Sequence, residues 1–116
     1  MPNLTRVVAQ KTPVTITTSG QLGNDFGVGA LDVLEIDINI TSHVAGTSIA
    51  FTYSRVNPDG IAYPIWTGTA TGAGQITGDI GPGMQTPMNI GETGRLSWVV
   101  SGAGPSTVCT YMIQGK

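Results

Sequence analysis

From Leu34 to Thr41 apolar and polar residues alternate without interruption. Leu34, Ile36, Ile38 and Ile40 fall at one parity, and Glu35, Asp37, Asn39 and Thr41 at the other. A helix would spread the four aliphatic residues around its circumference, whereas a strand gathers them on one face, so the pattern predicts a strand. Leu31 and Val33 have the opposite parity, which predicts a bulge near Val33 and Leu34 or a strand start buried on both faces. Residues 30–45 are also the longest stretch without glycine or proline. Helix therefore has almost nowhere to form.

The same period recurs along the chain. Val14 and Ile16 mark a short strand over residues 14–18, with residues 4–9 a weaker one ahead of it. Residues 48–56 alternate Ile49, Phe51 and Tyr53 against Thr52 and Ser54 and end at Asn57-Pro58-Asp59-Gly60, where proline and glycine sit at turn positions that suit them. The strand over residues 61–70 carries Tyr63, Ile65 and Trp66. Pro64 lacks an N–H, so this strand is expected at a sheet edge or bulged. A short strand is expected over residues 75–80, a loop over 81–87 and a further short strand at Met88-Asn89-Ile90. Leu96, Trp98 and Val100 face inward on the next strand, and Cys109, Tyr111 and Ile113 share a face on the last. Turn signals at this spacing predict an all-β fold, an antiparallel β-sandwich of jelly-roll or immunoglobulin-like type with roughly seven to eight strands. Its core is expected to hold Leu34, Ile36, Ile38, Phe51, Leu96, Trp98, Val100, Tyr111 and Ile113.

Composition narrows the function. The chain has 116 residues, of which 17 are glycine and 7 proline, and only 10% are charged, against roughly 25% in an ordinary soluble domain. This is one domain with one small core, too small for a large enzyme with a deep cleft. The net charge is −2, and Arg6, Lys11, Arg55, Arg95 and Lys116 form no run, so no nucleic-acid partner is expected. No stretch is long and apolar enough for a membrane helix, and the first residues carry no secretory signal, so neither membrane nor export is expected. A single cysteine, Cys109, excludes an intrachain disulfide framework.

Candidate chemistry is sparse. His43, the sole histidine, would need an activated serine or cysteine beside it to act as a base, and its place after the long strand makes it a loop or structural residue. Cys109 is expected buried and inert. Asp32, Glu35 and Asp37 raise calcium, but Glu35 and Asp37 share a face that Asp32 does not, so a solvated strand face is expected instead. The glycine-rich run from Gly23 to Gly29 is a single copy of a turn that binds calcium only in stacked series. No catalytic residue, metal or cofactor is expected, and no enzyme. Tyr63 and Trp66 are possible surface aromatics of the kind that stack on sugars. Their separation of three residues places them on opposite faces of a regular strand, one inward and one outward.

The run from Leu31-Asp32-Val33 through the acidic, apolar strand resembles small β-sandwich virion proteins of tailed bacteriophages, as do Ser54-Arg55-Val56-Asn57-Pro58-Asp59-Gly60 and the Tyr/Trp strand after it. The closest likeness is the closing run Gly94-Arg95-Leu96-Ser97-Trp98-Val99-Val100-Ser101-Gly102-Ala103-Gly104-Pro105-Ser106, with its final alternating strand and Gly115-Lys116. The resemblance covers residues 29–116 and departs at Pro64 and in the glycine-rich span. It implies a non-enzymatic structural virion protein, made in the host cytoplasm and decorating or cementing the capsid surface. A tail or head-completion protein, or a carbohydrate- or host-surface-binding module, is the alternative. The implied partners are the major capsid protein or another virion protein, with a homo-oligomer in the particle. Little Lys and Glu and much Thr, Ser and Gly suit a surface buried against neighbours, because little side-chain entropy is lost. Residues 1–12 are read as an N-terminal strand or arm, and residues 13–116 as the sandwich domain with a glycine-rich loop over 72–91. Leu4, Val7 and Val8 in the first, and Met84, Met88 and Ile90 in the loop, are the expected partner contacts.

Overall fold

The computed structural model describes residues 6–21, 25–29, 31–81, 92–102 and 106–115, with backbone alone for residues 6–13 and 21. Seven strands of seven residues or more run along the chain: β1 (Arg6–Ile16), β4 (Leu34–His43), β5 (Ser48–Val56), β6 (Ala62–Ala70), β7 (Gly74–Ile80), β8 (Thr93–Ser101) and β9 (Thr107–Gly115). Two fragments of two residues, β2 (Gly20–Gln21) and β3 (Phe26–Gly27), complete the described elements.

Sheet A has the order β1-β9-β4-β7 and sheet B the order β2-β8-β5-β6, with β3 pairing further along β8. Every pairing is antiparallel. Counted as one interrupted strand, β2 and β3 turn the two sheets into the four-plus-four arrangement of a jelly roll. This selects the jelly roll over the immunoglobulin-like form, whose strands divide differently between the sheets.

The inner faces follow the alternation. Leu34, Ile36, Ile38 and Ile40 of β4 meet Ile49, Phe51 and Tyr53 of β5, with Leu96, Cys109, Tyr111 and Ile113 completing the buried layer. Each such aliphatic side chain contributes about 1.5–3 kcal/mol over its exposed state. Trp98 and Val100 lie on the expected face but are only partly buried against the core. The fragment β2 covers β8 only at Ser97 and Trp98, so this end of β8 has no full strand to seal it.

Irregularities have identifiable causes. In place of two strands near the N-terminus there is one, β1, that accommodates Pro13 by a bulge between Lys11 and Val14. Residues 6–12 thus run as a strand along β9. The parity change at Leu31 and Val33 is neither a bulge nor a doubly buried strand start. β4 begins at Leu34, and Leu31 is buried from the preceding turn, where its N–H donates to the Val28 carbonyl at 3.0 Å. Pro64 lies on the edge strand β6, at a bulge that makes Ser54 face Pro64 while Tyr53 faces Trp66. It therefore breaks no ladder bond.

Candidate functional site

His43 closes β4, and its ring bridges three elements. Nδ1 lies 2.7 Å from the Thr107 hydroxyl at the start of β9, and Nε2 lies 2.8 Å from the Thr47 carbonyl in the turn before β5. With the proton on Nε2, the ring donates to that carbonyl and accepts the Thr107 hydroxyl proton, so both nitrogens are satisfied. Thr107 is fully buried and no substrate can reach its hydroxyl. His43 is thus the terminal residue of a strand, and it braces a corner of the sandwich.

Cys109 is fully buried on the inner face of β9, and burial pushes its thiol pKa up. The thiol stays protonated and unreactive. Tyr53 and Tyr111 are also buried, and neither hydroxyl has a hydrogen-bond partner among the described residues. Burial raises both ionisations. A carbon added at Gly94 would overlap the Tyr53 ring and hydroxyl, well inside van der Waals contact, so glycine there lets the phenol enter the core.

The carboxylates divide as their parity requires. Glu35 and Asp37 point outward from sheet A, and Asp79 of β7 faces Glu35 across the ladder. The Glu35 carboxylate accepts a bond from the Gln114 amide at 3.3 Å, while Asp32 lies before the strand. Among the described residues no three His, Cys, Asp or Glu side chains gather as metal ligands. Asp25, in the loop considered for calcium, instead holds Arg95 through a fork of 2.8 and 3.0 Å. That hydrogen bond, outweighing the opposing burial, holds the Asp25 carboxyl below the usual carboxylate range. Seventy residues separate the partners, and nothing in the local sequence signals the pair.

The two aromatics part company. Trp66 is buried, while Tyr63 is 43% exposed. The bulge at Ile65 sets Tyr63 opposite Arg55 and Trp66 opposite Tyr53, two positions of one parity. Their difference in exposure thus comes from distance along the sheet, not from opposite faces, and the pair cannot form a surface platform. The Trp66 indole fills the space beside Gly78 of β7, where an added Cβ would sit 2.5 Å from its Cε2 and Nε1. Leu4, Met84, Met88 and Ile90 lie outside the described residues, and Val7 and Val8 are placed by backbone alone, in β1.

The exposure that sequence reasoning missed in the β5–β6 hairpin is that of Ile61. Ile61 there is 52% exposed, directly after the Asn57-Pro58-Asp59-Gly60 turn. The Gly60 N–H donates to the Asn57 carbonyl at 2.8 Å, and the Ile61 N–H to the Asp59 carboxylate at 2.9 Å. Gly60 takes a φ of +84°, a conformation that costs other residues more. The turn is tied down at each step, so Ile61 and Tyr63 are held in fixed positions.

No protein-family model matches the chain, and no curated protein matches it. Among solved structures, the chain is similar to the crystal structure of the SPBc2 prophage-derived protein YomS, at a TM-score of 0.53 and 17% identity over 97% of each chain. At that identity the likeness establishes a shared fold.

Proposed function

We propose that this chain is a non-enzymatic structural component of a tailed-phage particle, acting at the capsid surface as a decoration or cementing protein. The observation that carries the reading is the structural likeness over 97% of both chains to a prophage-derived protein. Two features support it. The jelly roll recurs in viral capsid domains, and the histidine and cysteine that could have served catalysis are tied up or sealed in the core. The partners in this reading are the major capsid protein or another virion protein, and the location is the virion. A tail or head-completion role is the nearest alternative. Lectins share the jelly roll too, but the buried Trp66 removes the aromatic pair on which sugar stacking depended.

An electron-microscopy map of purified particles containing this chain tests the proposal. Density for the sandwich on the capsid surface is expected. Density on the tail or at the head vertex would move the protein to the alternative role. Its absence from purified particles, with the folded protein present in the lysate, would overturn the structural reading.

A further inference from the structure

The two sheets leave two unmatched surfaces of opposite character. One is the β5–β6 hairpin, where Ile61 and Tyr63 stand exposed and Arg55 faces Tyr63 across the ladder. Arg55 is half-buried, and its Nε has no hydrogen-bond partner among the described residues. The ion pair among the described residues belongs to Arg95 and Asp25, so Arg55 pairs with no carboxylate among them. The other surface is the outer face of sheet A. Glu35 and Asp79 face each other there, Asp37 follows two residues on, and Met112 lies beside Asp37 in the register. No described cation pairs with these three carboxylates.

Cation and carboxylates cannot meet within one molecule, because the hairpin belongs to sheet B and the acidic face looks away from it. We propose that they meet between molecules: the hairpin of one copy docks on the outer face of sheet A of a second copy, with Arg55 against Glu35 and Asp79 and with Ile61 and Tyr63 against Met112. The chemistry is complementary on both counts. Arginine and tyrosine are the side chains that most often carry interface energy, and methionine adapts its shape to an apolar partner. The hairpin's tied turn lowers the ordering cost of binding. Different patches of the two copies are used, so the contact is head-to-tail and builds a ring or an open row. The hairpin is small beside the roughly 800 Å² per partner of a standard interface, which makes the contact weak in dilute solution and effective where copies are already concentrated. This deepens the structural-component reading by naming a partner. It is tested on purified protein, so its failure would leave the particle location untouched.

Sedimentation velocity of the full chain at rising concentration and two salt levels reads the contact. Wild type is expected to associate reversibly below about 1 mM, more strongly at low salt because the pairs are solvent-screened. The double variant Ile61→Ser, Tyr63→Ser changes exposed positions only. It should melt as wild type does yet remain monomeric. Arg55→Glu and, separately, Glu35→Lys with Asp79→Lys should each weaken association at least about tenfold, and mixing the two should restore it. A wild-type monomer throughout would overturn the proposal. So would association undiminished in the hairpin variant, or a folded charge-swapped mixture that stays monomeric.

Discussion

Where β6 and β7 run past each other, one indole closes the space between the sheets. At the other margin, where β1 approaches β3, closure is assembled from two-residue fragments, a half-buried tryptophan and an ion pair. Trp66 is buried in a bed made by two glycines, since an added carbon at Gly68 or Gly78 would stand 2.9 or 2.5 Å from its ring. Trp98 is only partly buried, packs edge-on against Phe51 at 6.3 Å between ring centroids, and donates its indole N–H to the Thr18 carbonyl at 3.1 Å. The first margin is closed by shape, which tolerates no added volume. The second is closed by backbone and polar contacts, which tolerate a good deal. The same residue type therefore serves two purposes, depending on whether its neighbours carry side chains.

The largest effects should appear at the closed margin. Trp66→Ala is expected to destabilise the fold by about 3–5 kcal/mol, through lost transfer energy and the cavity left behind. Gly78→Ala should cost about 1–3 kcal/mol by overpacking, because the ring is blocked at Gly68 as well and cannot step aside. In the Trp66→Ala background the Gly78→Ala cost should nearly vanish, a coupling that denaturant titration of the four proteins would measure. An equal cost in both backgrounds would mean that the glycine serves the backbone of β7 and not the indole.

This margin also shows where the sequence stops being readable. The strand over residues 75–80 is legible from its alternation, and Pro64 by itself announces an edge or a bulge. Gly78, inside that strand, carries no packing signal of its own in the sequence. Only the long-range pairing of β4 with β7 and the reach of Trp66 from the other sheet give it a packing role. Tyr63 and Trp66 divide into one exposed and one buried side chain as expected, but not by parity. Parity counting assumes a regular strand, and one inserted residue at Ile65 inverts it. Trp98 lies on the face that alternation predicts but in a shallower layer, because alternation reports which way a side chain points and not whether a neighbouring strand covers it. The hairpin surface was half legible: the turn was, but exposure of Ile61 depends on which strands end before it. The Asp25–Arg95 pair was not legible at all.

At the open margin the expected effects are smaller. Trp98→Ala should cost about 2 kcal/mol, less than the Trp66 truncation because only part of the ring leaves water on folding. Trp98→Phe should keep the edge-on packing and lose about 1 kcal/mol with the bond to Thr18. Denaturation midpoints for the two tryptophan truncations, taken together, decide the comparison. If Trp98→Ala proves as costly as Trp66→Ala, the second margin is sealed as tightly as the first.

The smallest effect belongs to Asp25. Its pairing with Arg95 fixes the residue just before β3, and from there Phe26 reaches Tyr53 at 6.2 Å between ring centroids. The pair thus links a surface ion pair to the buried end of β5 through one aromatic contact. Asp25→Asn should lower stability at neutral pH by less than either change at Trp98, because exposed pairs are screened by solvent. The pH dependence carries the sharper information. Folding lowers the Asp25 pKa, with the Arg95 hydrogen bond as the main cause. Its contribution is therefore full above the unfolded-state value, about pH 4, and fades as pH falls through the folded one. Wild type and Asp25→Asn should accordingly differ at neutral pH and converge in acid, and added salt should bring them together at neutral pH as well. A gap that persists unchanged into acid would mean that Asp25 holds β3 by hydrogen-bond geometry, which asparagine cannot reproduce, and that charge contributes little to closing this margin.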